Sequence, residues 1–181
     1  MKPLDRFLQR WRINKVRPFL TQGARVLDIG CSDGVLSREV SGLGEYVGID
    51  PDTESETQDN NARIIKGLFP NDLPDARPFD AITMLAVLEH IPTEQQKPFA
   101  ENCAKYLKAG GYLLITVPSP VVDRILDVLM FFKLIDGMAL EQHYEFDVSQ
   151  TPSIFSSAGL KLVAARKFQI GLNNLFVFQK A

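Results

Sequence analysis

The chain has 181 residues, of which 45% are hydrophobic and 23% charged, an ordinary composition for one globular domain with a substantial core. Its formal net charge of -2 argues against a general nucleic-acid-binding protein, because such proteins carry a basic surface. Two cysteines, Cys31 and Cys103, are too few for a disulfide framework, and no segment has the pattern of a signal peptide or a membrane span, so we expect a cytoplasmic protein.

The first predicted element is a helix over residues 4–20. One face of this helix is apolar, with side chains three and four residues apart: Leu4, Phe7, Leu8 and Trp11. The remainder is basic, with Lys2, Arg6, Arg10, Arg12, Lys15 and Arg17 against the single acid Asp5. We interpret the segment as a cap helix with a solvated basic face. The alternative is contact with an anionic substrate or a membrane surface.

The stretch Arg25–Gly34 contains a short apolar strand, then two glycines, Gly30 and Gly34, and then a helical segment that starts at Val35. A strand, a glycine turn and a helix start together form a nucleotide cradle, because glycine lets the backbone approach a ligand closely. Asp28 lies near the end of the strand, where open α/β sheets place their ligands.

The second strand, Tyr46–Asp50, ends in a carboxylate 22 residues after Asp28. A ribose with two free hydroxyls requires a bidentate acceptor at this place, and an ionised aspartate supplies one. The alternative role of Asp50 is to initiate a turn before Pro51, and the two roles are compatible.

The order V-L-D-I-G-C-S-D-G followed by G-I-D resembles the class I S-adenosylmethionine-dependent methyltransferases, and it lacks the G-x-G-x-x-G of dinucleotide-binding enzymes. The resemblance implies that the glycine loop holds the methionine part of S-adenosylmethionine and that the acid after the second strand holds its ribose. The cofactor-binding residues implied here are Asp28, Gly30, Cys31, Ser32, Gly34, Asp50 and Pro51. Family members often have glycine where Ser32 stands, so we expect a slightly reshaped loop and a retained site.

A third strand is predicted over residues 62–66, and Gly67, Leu68 and Phe69 follow it. In the resembled family an acidic residue often follows this glycine and contacts the adenine. Leu68 occupies that position here. The resemblance therefore implies that a backbone N–H and the apolar side chain of Leu68 or Phe69 bind the adenine instead.

The fourth strand and its continuation, F-D-A-I-T-M-L-A-V-L-E-H-I-P over residues 79–92, resemble the family's motif at this point. This resemblance places Leu85 at the cofactor and Glu89 and His90 at the mouth of the pocket. A helix is predicted from Thr93 to Leu107.

The C-terminal half completes the predicted sheet. Gly110-Gly111 is predicted to cap the preceding helix, and a fifth strand follows over residues 112–118. A helix over 147–158 precedes two further strands, 160–168 and 175–179, which form an antiparallel hairpin. We predict a doubly wound, mostly parallel seven-stranded α/β sheet with the Rossmann-like fold of this family, in a single domain over residues 1–181.

Residues 119–146 form an unusually apolar segment between the fifth strand and the next helix. In the resembled family this position holds a lid over the substrate. A helix that packs between the sheet and the N-terminal helix, or a dimer contact, is the alternative.

Methyl transfer from a sulfonium needs alignment and a water-poor pocket, and a base only if the acceptor loses a proton. The only two histidines, His90 and His143, are the candidate bases, and a structural role is the alternative for each. Some quinone-biosynthesis O-methyltransferases carry E-x-x-E-H here and bind a divalent ion. Ala86 stands at the first position of that pattern, so we predict no metal.

The predicted function is transfer of a methyl group from S-adenosylmethionine to a small or lipid-like acceptor, with a hydroxyl among the options. The alternative is a catalytically inactive cofactor-binding or interaction protein on the same fold. Nucleic acid is not an expected partner, peripheral membrane contact is an option, and both a monomer and a homodimer are compatible with the sequence.

Overall fold

The structure is a computed structural model that describes residues 3–54, 56–59, 61–74, 77–119 and 146–181. The predicted lid over 119–146 lies outside the described residues except at its two ends, and His143 lies outside them as well.

The strands of the described chain form one eight-stranded sheet. They are β1 Arg25–Ile29, β2 Glu45–Asp50, β3 Thr57–Gln58, β4 Ala62–Lys66, β5 Phe79–Leu85, β6 Leu107–Pro118, β7 Leu160–Phe168 and β8 Asn173–Lys180. Their spatial order is β3-β4-β2-β1-β5-β6-β8-β7. The five strands from β4 to β6 in this order are parallel, whereas β3, β8 and β7 each pair antiparallel with a neighbour. This topology confirms the predicted doubly wound α/β fold with its C-terminal hairpin.

Four α-helices cover the described sheet: α1 Pro3–Val16, α2 Val35–Glu39, α3 Thr93–Tyr106 and α4 Thr151–Ser157. Short 3-10 helices occupy Arg17–Phe19, Leu88–His90 and Val148–Gln150. None of the helices in the part of the chain described is long and apolar enough to cross a membrane.

The sheet buries both of its faces. All five residues of β1 are buried, as expected for a central strand covered by helices on two sides. On one face, Ile13 and Val16 of α1 pack with Val26 and Leu114 of the sheet. On the other face, Phe155 of α4 belongs to the second core. The N-terminal helix therefore packs on the sheet, as the cap-helix interpretation requires.

The structure differs from the sequence prediction in several elements. The helix predicted over 147–158 is α-helical only over Thr151–Ser157, after a 3-10 turn over Val148–Gln150. The helix predicted over 4–20 is α-helical only to Val16, since Pro18 has no N–H to continue the hydrogen bonding and the chain tightens into a 3-10 turn. The short strand β3 was not predicted, because its two residues are exposed and polar. A further difference concerns Gly110-Gly111.

The prediction that Gly110-Gly111 caps α3 is wrong. The helix ends at Tyr106, and Leu107 is already extended, buried and paired with Phe79 of β5. Gly110 does adopt a left-handed conformation, with φ of 76°, but it lies where the pairing between β5 and β6 is irregular. Burial of Leu107 in the core favours the early start of the strand.

Candidate functional site

Three loops meet beside the carboxyl end of β2. The Gly30 N–H donates to the carbonyl of Ile49 at 2.9 Å, which joins the loop after β1 to β2. The Gly67 N–H donates to the carbonyl of Asp50 at 3.2 Å, which joins the loop after β4 to the same strand. Gly30 also lies against Val87 in the segment after β5. The structure thus brings together the loops that the sequence analysis assigned to the cofactor.

Gly30 and Gly34 need glycine for two reasons. Both adopt a left-handed conformation with φ of 72°. A Cβ on Gly30 would collide with the side chain of Val87, and a Cβ on Gly34 would lie 2.6 Å from Cδ1 of Ile64. Ser32 is also left-handed, with φ of 50°, at a cost of roughly 1–2 kcal/mol for a residue with a Cβ. Serine therefore keeps the kind of backbone conformation that glycine favours at this position.

Asp50 is fixed by backbone hydrogen bonds on both carboxylate oxygens. Its Oδ2 accepts from the Ser32 N–H at 2.7 Å, and its Oδ1 accepts from the Asp52 N–H at 2.8 Å. The bond to Asp52 begins the turn that contains Pro51, so Asp50 does initiate a turn. Because each carboxylate oxygen has further lone pairs, the group retains the capacity to accept ligand hydroxyls.

Asp28 lies in a buried polar cluster beneath the glycine loop. Its Oδ1 accepts from the Thr83 hydroxyl at 2.6 Å, and its Oδ2 accepts from the Tyr46 hydroxyl at 2.8 Å. Burial raises the pKa of Asp28 to about 6, although the two hydroxyl hydrogen bonds act in the opposite direction. The charge of Asp50 raises this pKa further. The carboxylate faces protein groups on both oxygens, so its direct contact with a cofactor stays a prediction.

Cys31 is buried beside this cluster. A Cβ on Gly48 of β2 would lie 2.6 Å from the Cys31 Sγ, so the thiol fills the space that this glycine leaves. Burial raises the pKa of the thiol, and the charges of Asp28 and Asp50 raise it further. The thiol is therefore protonated near neutral pH and is a packing group without nucleophilic character.

The loop after β4 separates the two residues expected at the adenine. The Leu68 side chain is 58% exposed, whereas Phe69 is buried and packs edge-on against Phe99 and Tyr106. The Leu68 N–H donates to Oδ2 of Asp72 at 2.8 Å. Leu68 is therefore the better placed of the two for apolar contact, and a contact from its N–H to a ligand must compete with Asp72.

The segment after β5 turns sharply. Leu85 is partly buried, and Ala86 adopts a left-handed conformation with φ of 61°. In the 3-10 helix that follows, Glu89 is buried and His90 is exposed. Within the ranges that the structure describes, no group of three or more possible metal ligands occurs. The absence of a metal stays a prediction.

Arg12 of α1 is a candidate site residue that the sequence analysis placed on the solvated basic face. Its Nε is buried and has no hydrogen-bond partner among the described residues. Burial lowers the pKa of Arg12, while the negative charges of Glu89 and Asp5 raise it. The position four residues after Leu8, on the apolar face of the helix, is the sequence signal that indicates burial.

Comparison with known proteins identifies the family. Residues 3–167 match a family model described as a methyltransferase domain. The chain is 33% identical over 145 residues to the ubiquinone biosynthesis O-methyltransferase of Glaesserella parasuis, an alignment that covers 72% of this chain and 61% of that protein. A Coxiella burnetii protein of the same name is 32% identical over 126 residues, with coverage of 64% and 53%. The chain thus spans between half and two thirds of the length of these relatives.

Solved structures share the fold. An N-methyltransferase from Bradyrhizobium japonicum superposes with a TM-score of 0.68 at 16% identity, covering 95% of this chain and 96% of that one. A magnesium protoporphyrin IX methyltransferase from Synechocystis, solved with bound SAH, gives a TM-score of 0.68 at 16% identity, covering 96% and 83%. The left-handed glycine loop, the carboxylate after β2 and the matched family model agree, and the chain belongs to the class I S-adenosylmethionine-dependent methyltransferases.

Proposed function

We propose that the protein transfers a methyl group from S-adenosylmethionine to a small or lipid-like acceptor, with a hydroxyl oxygen as the accepting atom. The observation that carries the cofactor assignment is the hydrogen bond from the Ser32 N–H to Asp50, which joins the glycine loop to the carboxylate after β2. The O-methyltransferase names of the two curated relatives support a hydroxyl acceptor.

The side chains of the site fit this cofactor. S-adenosylmethionine supplies a methyl group already activated on a sulfonium, so the protein has mainly to align it and exclude water. In this proposal Asp50 accepts hydrogen bonds from the ribose hydroxyls, and the backbone around Gly30 and Gly34 lies along the methionine part. Leu68 packs on the adenine.

We further propose that Arg12 binds the carboxylate of the cofactor's methionine part. Its buried Nε lacks a partner in the described chain, and a buried donor needs an acceptor to offset its desolvation. Glu89, also buried, is near enough to act on its charge. Glu89 follows β5 at the ligand edge of the sheet, so the effect of its charge on Arg12 supports a position of Arg12 toward that edge.

Replacing Arg12 with methionine should weaken the binding of S-adenosylhomocysteine by about tenfold or more, since one hydrogen bond to a charged group contributes roughly 1.5–3 kcal/mol. Calorimetry with S-adenosylhomocysteine and with its decarboxylated analogue separates the roles of Arg12. Only the first ligand should lose affinity. Arg10→Met is the matched control, because the Arg10 side chain is 63% exposed and pairs with Glu39 at the surface. An equal loss for both ligands would mean that Arg12 is structural.

For an acceptor hydroxyl, His90 is the candidate base that the structure describes, and His143 stays the second candidate from sequence. His90 is exposed at the end of the 3-10 helix that follows β5, beside the proposed cofactor loops. His90→Gln should lower kcat by about a hundredfold while the Kd for S-adenosylhomocysteine stays the same. Unchanged turnover in both His90→Gln and His143→Gln would leave alignment and desolvation as the mechanism.

The overall function is tested by transfer of a labelled methyl group from S-adenosylmethionine to phenols, catechols and prenylated phenols. The expected result is labelled product from at least one of these hydroxyl acceptors, and much less of it with Asp50→Ala at a limiting concentration of S-adenosylmethionine. Tight cofactor binding without transfer to any acceptor would favour the alternative of an inactive cofactor-binding protein.

A further inference from the structure

The turn between β7 and β8 carries an exposed isoleucine in an unfavourable conformation. Gln169, Ile170 and Gly171 are all left-handed, with φ of 50°, 58° and 83°. A β-branched residue is a genuine outlier in this region, and asparagine or glycine would fit there with less strain. The Ile170 side chain is nevertheless 96% exposed, so packing within the protein does not explain its presence.

This turn lies at the ligand edge of the sheet. Asn173, which follows the turn, pairs with Pro118 at the carboxyl end of β6. The parallel strand β5, whose end leads to Glu89 and His90, runs beside β6 in the same direction. Ile170 therefore projects from the same edge as the proposed cofactor loops.

A second exposed apolar residue lies in α1, which a hydrogen bond connects to this turn. The Gln169 side chain donates from Nε2 to the carbonyl of Leu8 at 3.1 Å, which fixes the turn to α1. Phe7, the neighbour of Leu8, is 56% exposed and touches Trp11 edge-on with ring centroids 5.5 Å apart. Two large apolar residues thus flank one hydrogen bond at the edge of the sheet.

Exposed cations are next to both apolar residues along the chain. Arg6 precedes Phe7, and Arg166 and Lys167 lead into the turn at the end of β7. Within the described ranges none of these three side chains forms an ion pair or hydrogen bond. The only acidic residue of α1 is Asp5, whose charge acts on Arg12. Arg6, Arg166 and Lys167 therefore supply exposed positive charge next along the chain to Phe7 and the turn, although the whole chain carries a net charge of -2 and the cofactor loops at the same edge carry Asp28, Asp50 and Glu89.

We propose that Phe7 and Ile170, with Arg6, Arg166 and Lys167, dock the protein on anionic phospholipid membranes. Exposed apolar side chains that enter the headgroup region, surrounded by cations that attract anionic lipids, are the features of an interfacial binding surface. Docking by this edge would turn the proposed site toward the bilayer, where an apolar acceptor is concentrated. The surface itself does not depend on methyl transfer.

The test is cosedimentation with vesicles of equal parts phosphatidylcholine and phosphatidylglycerol. The protein should bind these vesicles, bind less as salt is added, and bind vesicles of pure phosphatidylcholine weakly. Ile170→Asn should lower the affinity for the mixed vesicles by about tenfold or more. Its Tm should be equal to or above that of the wild type, because asparagine tolerates φ above zero.

Ile170→Leu is the matched control, since it keeps an apolar side chain at the tip and should bind within about twofold of the wild type. No binding of the wild type to the mixed vesicles, or equal binding by Ile170→Asn, would overturn the proposal. A dimer in gel filtration that Ile170→Asn dissociates would also overturn it, by showing that the surface pairs two copies. Methyl transfer to a water-soluble acceptor should be the same in Ile170→Asn, which separates this proposal from the proposed function.

Discussion

Replacing Asp50 with alanine is expected to weaken the binding of S-adenosylhomocysteine by at least tenfold. The carboxylate offers charge-assisted hydrogen bonds to the ribose, and each contributes roughly 1.5–3 kcal/mol where fully formed. The same substitution also removes the acceptors for the N–H groups of Ser32 and Asp52, at 2.7 and 2.8 Å, so the glycine loop loses its side-chain connection to β2 and keeps only the backbone bond from Gly30 to Ile49. Isothermal titration calorimetry measures the combined loss.

Asp52→Ala is the matched control for this substitution. It removes the same charge two residues away, but Asp52 is exposed and its backbone N–H, which binds Asp50, remains. The cofactor affinity of Asp52→Ala should be that of the wild type. Wild-type affinity in a folded Asp50→Ala variant would refute the ribose role, and binding of NAD by the wild type would refute the choice of cofactor.

The parallel core of the fold was predictable because its strands are short apolar runs that end at glycine or aspartate. Residues 26–29, which Gly30 follows, and residues 46–50, which end in Asp50, are of this kind, and the structure has strands at Arg25–Ile29 and Glu45–Asp50. The cause is physical, since a strand covered on both faces must be apolar along its whole length. The strand Thr57–Gln58 has no such pattern, because both residues are exposed at the edge of the sheet.

Site residues could be predicted where the backbone conformation restricts the residue type. They were missed where tertiary contacts determine which side chains reach the site. Gly30 and Gly34 are left-handed and close to neighbouring side chains, so glycine in the sequence indicates their place. Arg12 was grouped with the solvated basic residues of α1, although its spacing from Leu8 puts it on the apolar side of the helix. That spacing cannot show that the charge of Glu89, in the loop after β5, acts on the guanidinium. This interaction between distant parts of the chain depends on how α1 packs against the sheet.

Replacing Asp28 with asparagine is expected to stabilise the protein at alkaline pH by roughly 3 kcal/mol. Burial raises the pKa of Asp28 to about 6 in the folded protein, against an ordinary value of 3.8. Between about pH 4 and pH 6 the folded protein therefore retains a proton that the unfolded chain has released. As pH rises through this range, the free energy of unfolding of the wild type falls because of this carboxyl group. A pKa difference of this size lowers the free energy of unfolding by roughly 3 kcal/mol above pH 6.

Asparagine can keep both hydrogen bonds of Asp28, because the neighbouring groups are hydroxyls that donate or accept. Its carbonyl oxygen would accept from Thr83, and its amide would donate to Tyr46. Denaturant unfolding at several pH values measures the effect as the difference between variant and wild type. This difference should grow from pH 4 to pH 6 and then remain constant.

Asp80→Asn provides a control of opposite sign. Burial alone would raise the pKa of Asp80, but hydrogen bonds from Lys108 and the backbone of Arg25 outweigh it and lower that pKa. The charged form of Asp80 therefore stabilises the fold. At pH values above the range where this carboxylate titrates, Asp80→Asn should be less stable than the wild type, and the difference should disappear at lower pH. If both variants changed stability in the same direction, the proposed contrast would be refuted, namely that the charge of the buried Asp28 destabilises the fold and that of the paired Asp80 stabilises it.

The stability cost of Asp28 has a functional explanation that the same variant tests. An ionised, buried carboxylate beneath the glycine loop lowers the free energy of unfolding, yet a negative charge there would attract the ammonium of the cofactor's methionine part. Asp28→Asn should then bind S-adenosylhomocysteine more weakly while it unfolds at higher denaturant concentration above pH 6. A variant that gains stability and keeps full cofactor affinity would show that the Asp28 charge does not act on the ligand, and that only its hydrogen bonds to Tyr46 and Thr83 support the loop.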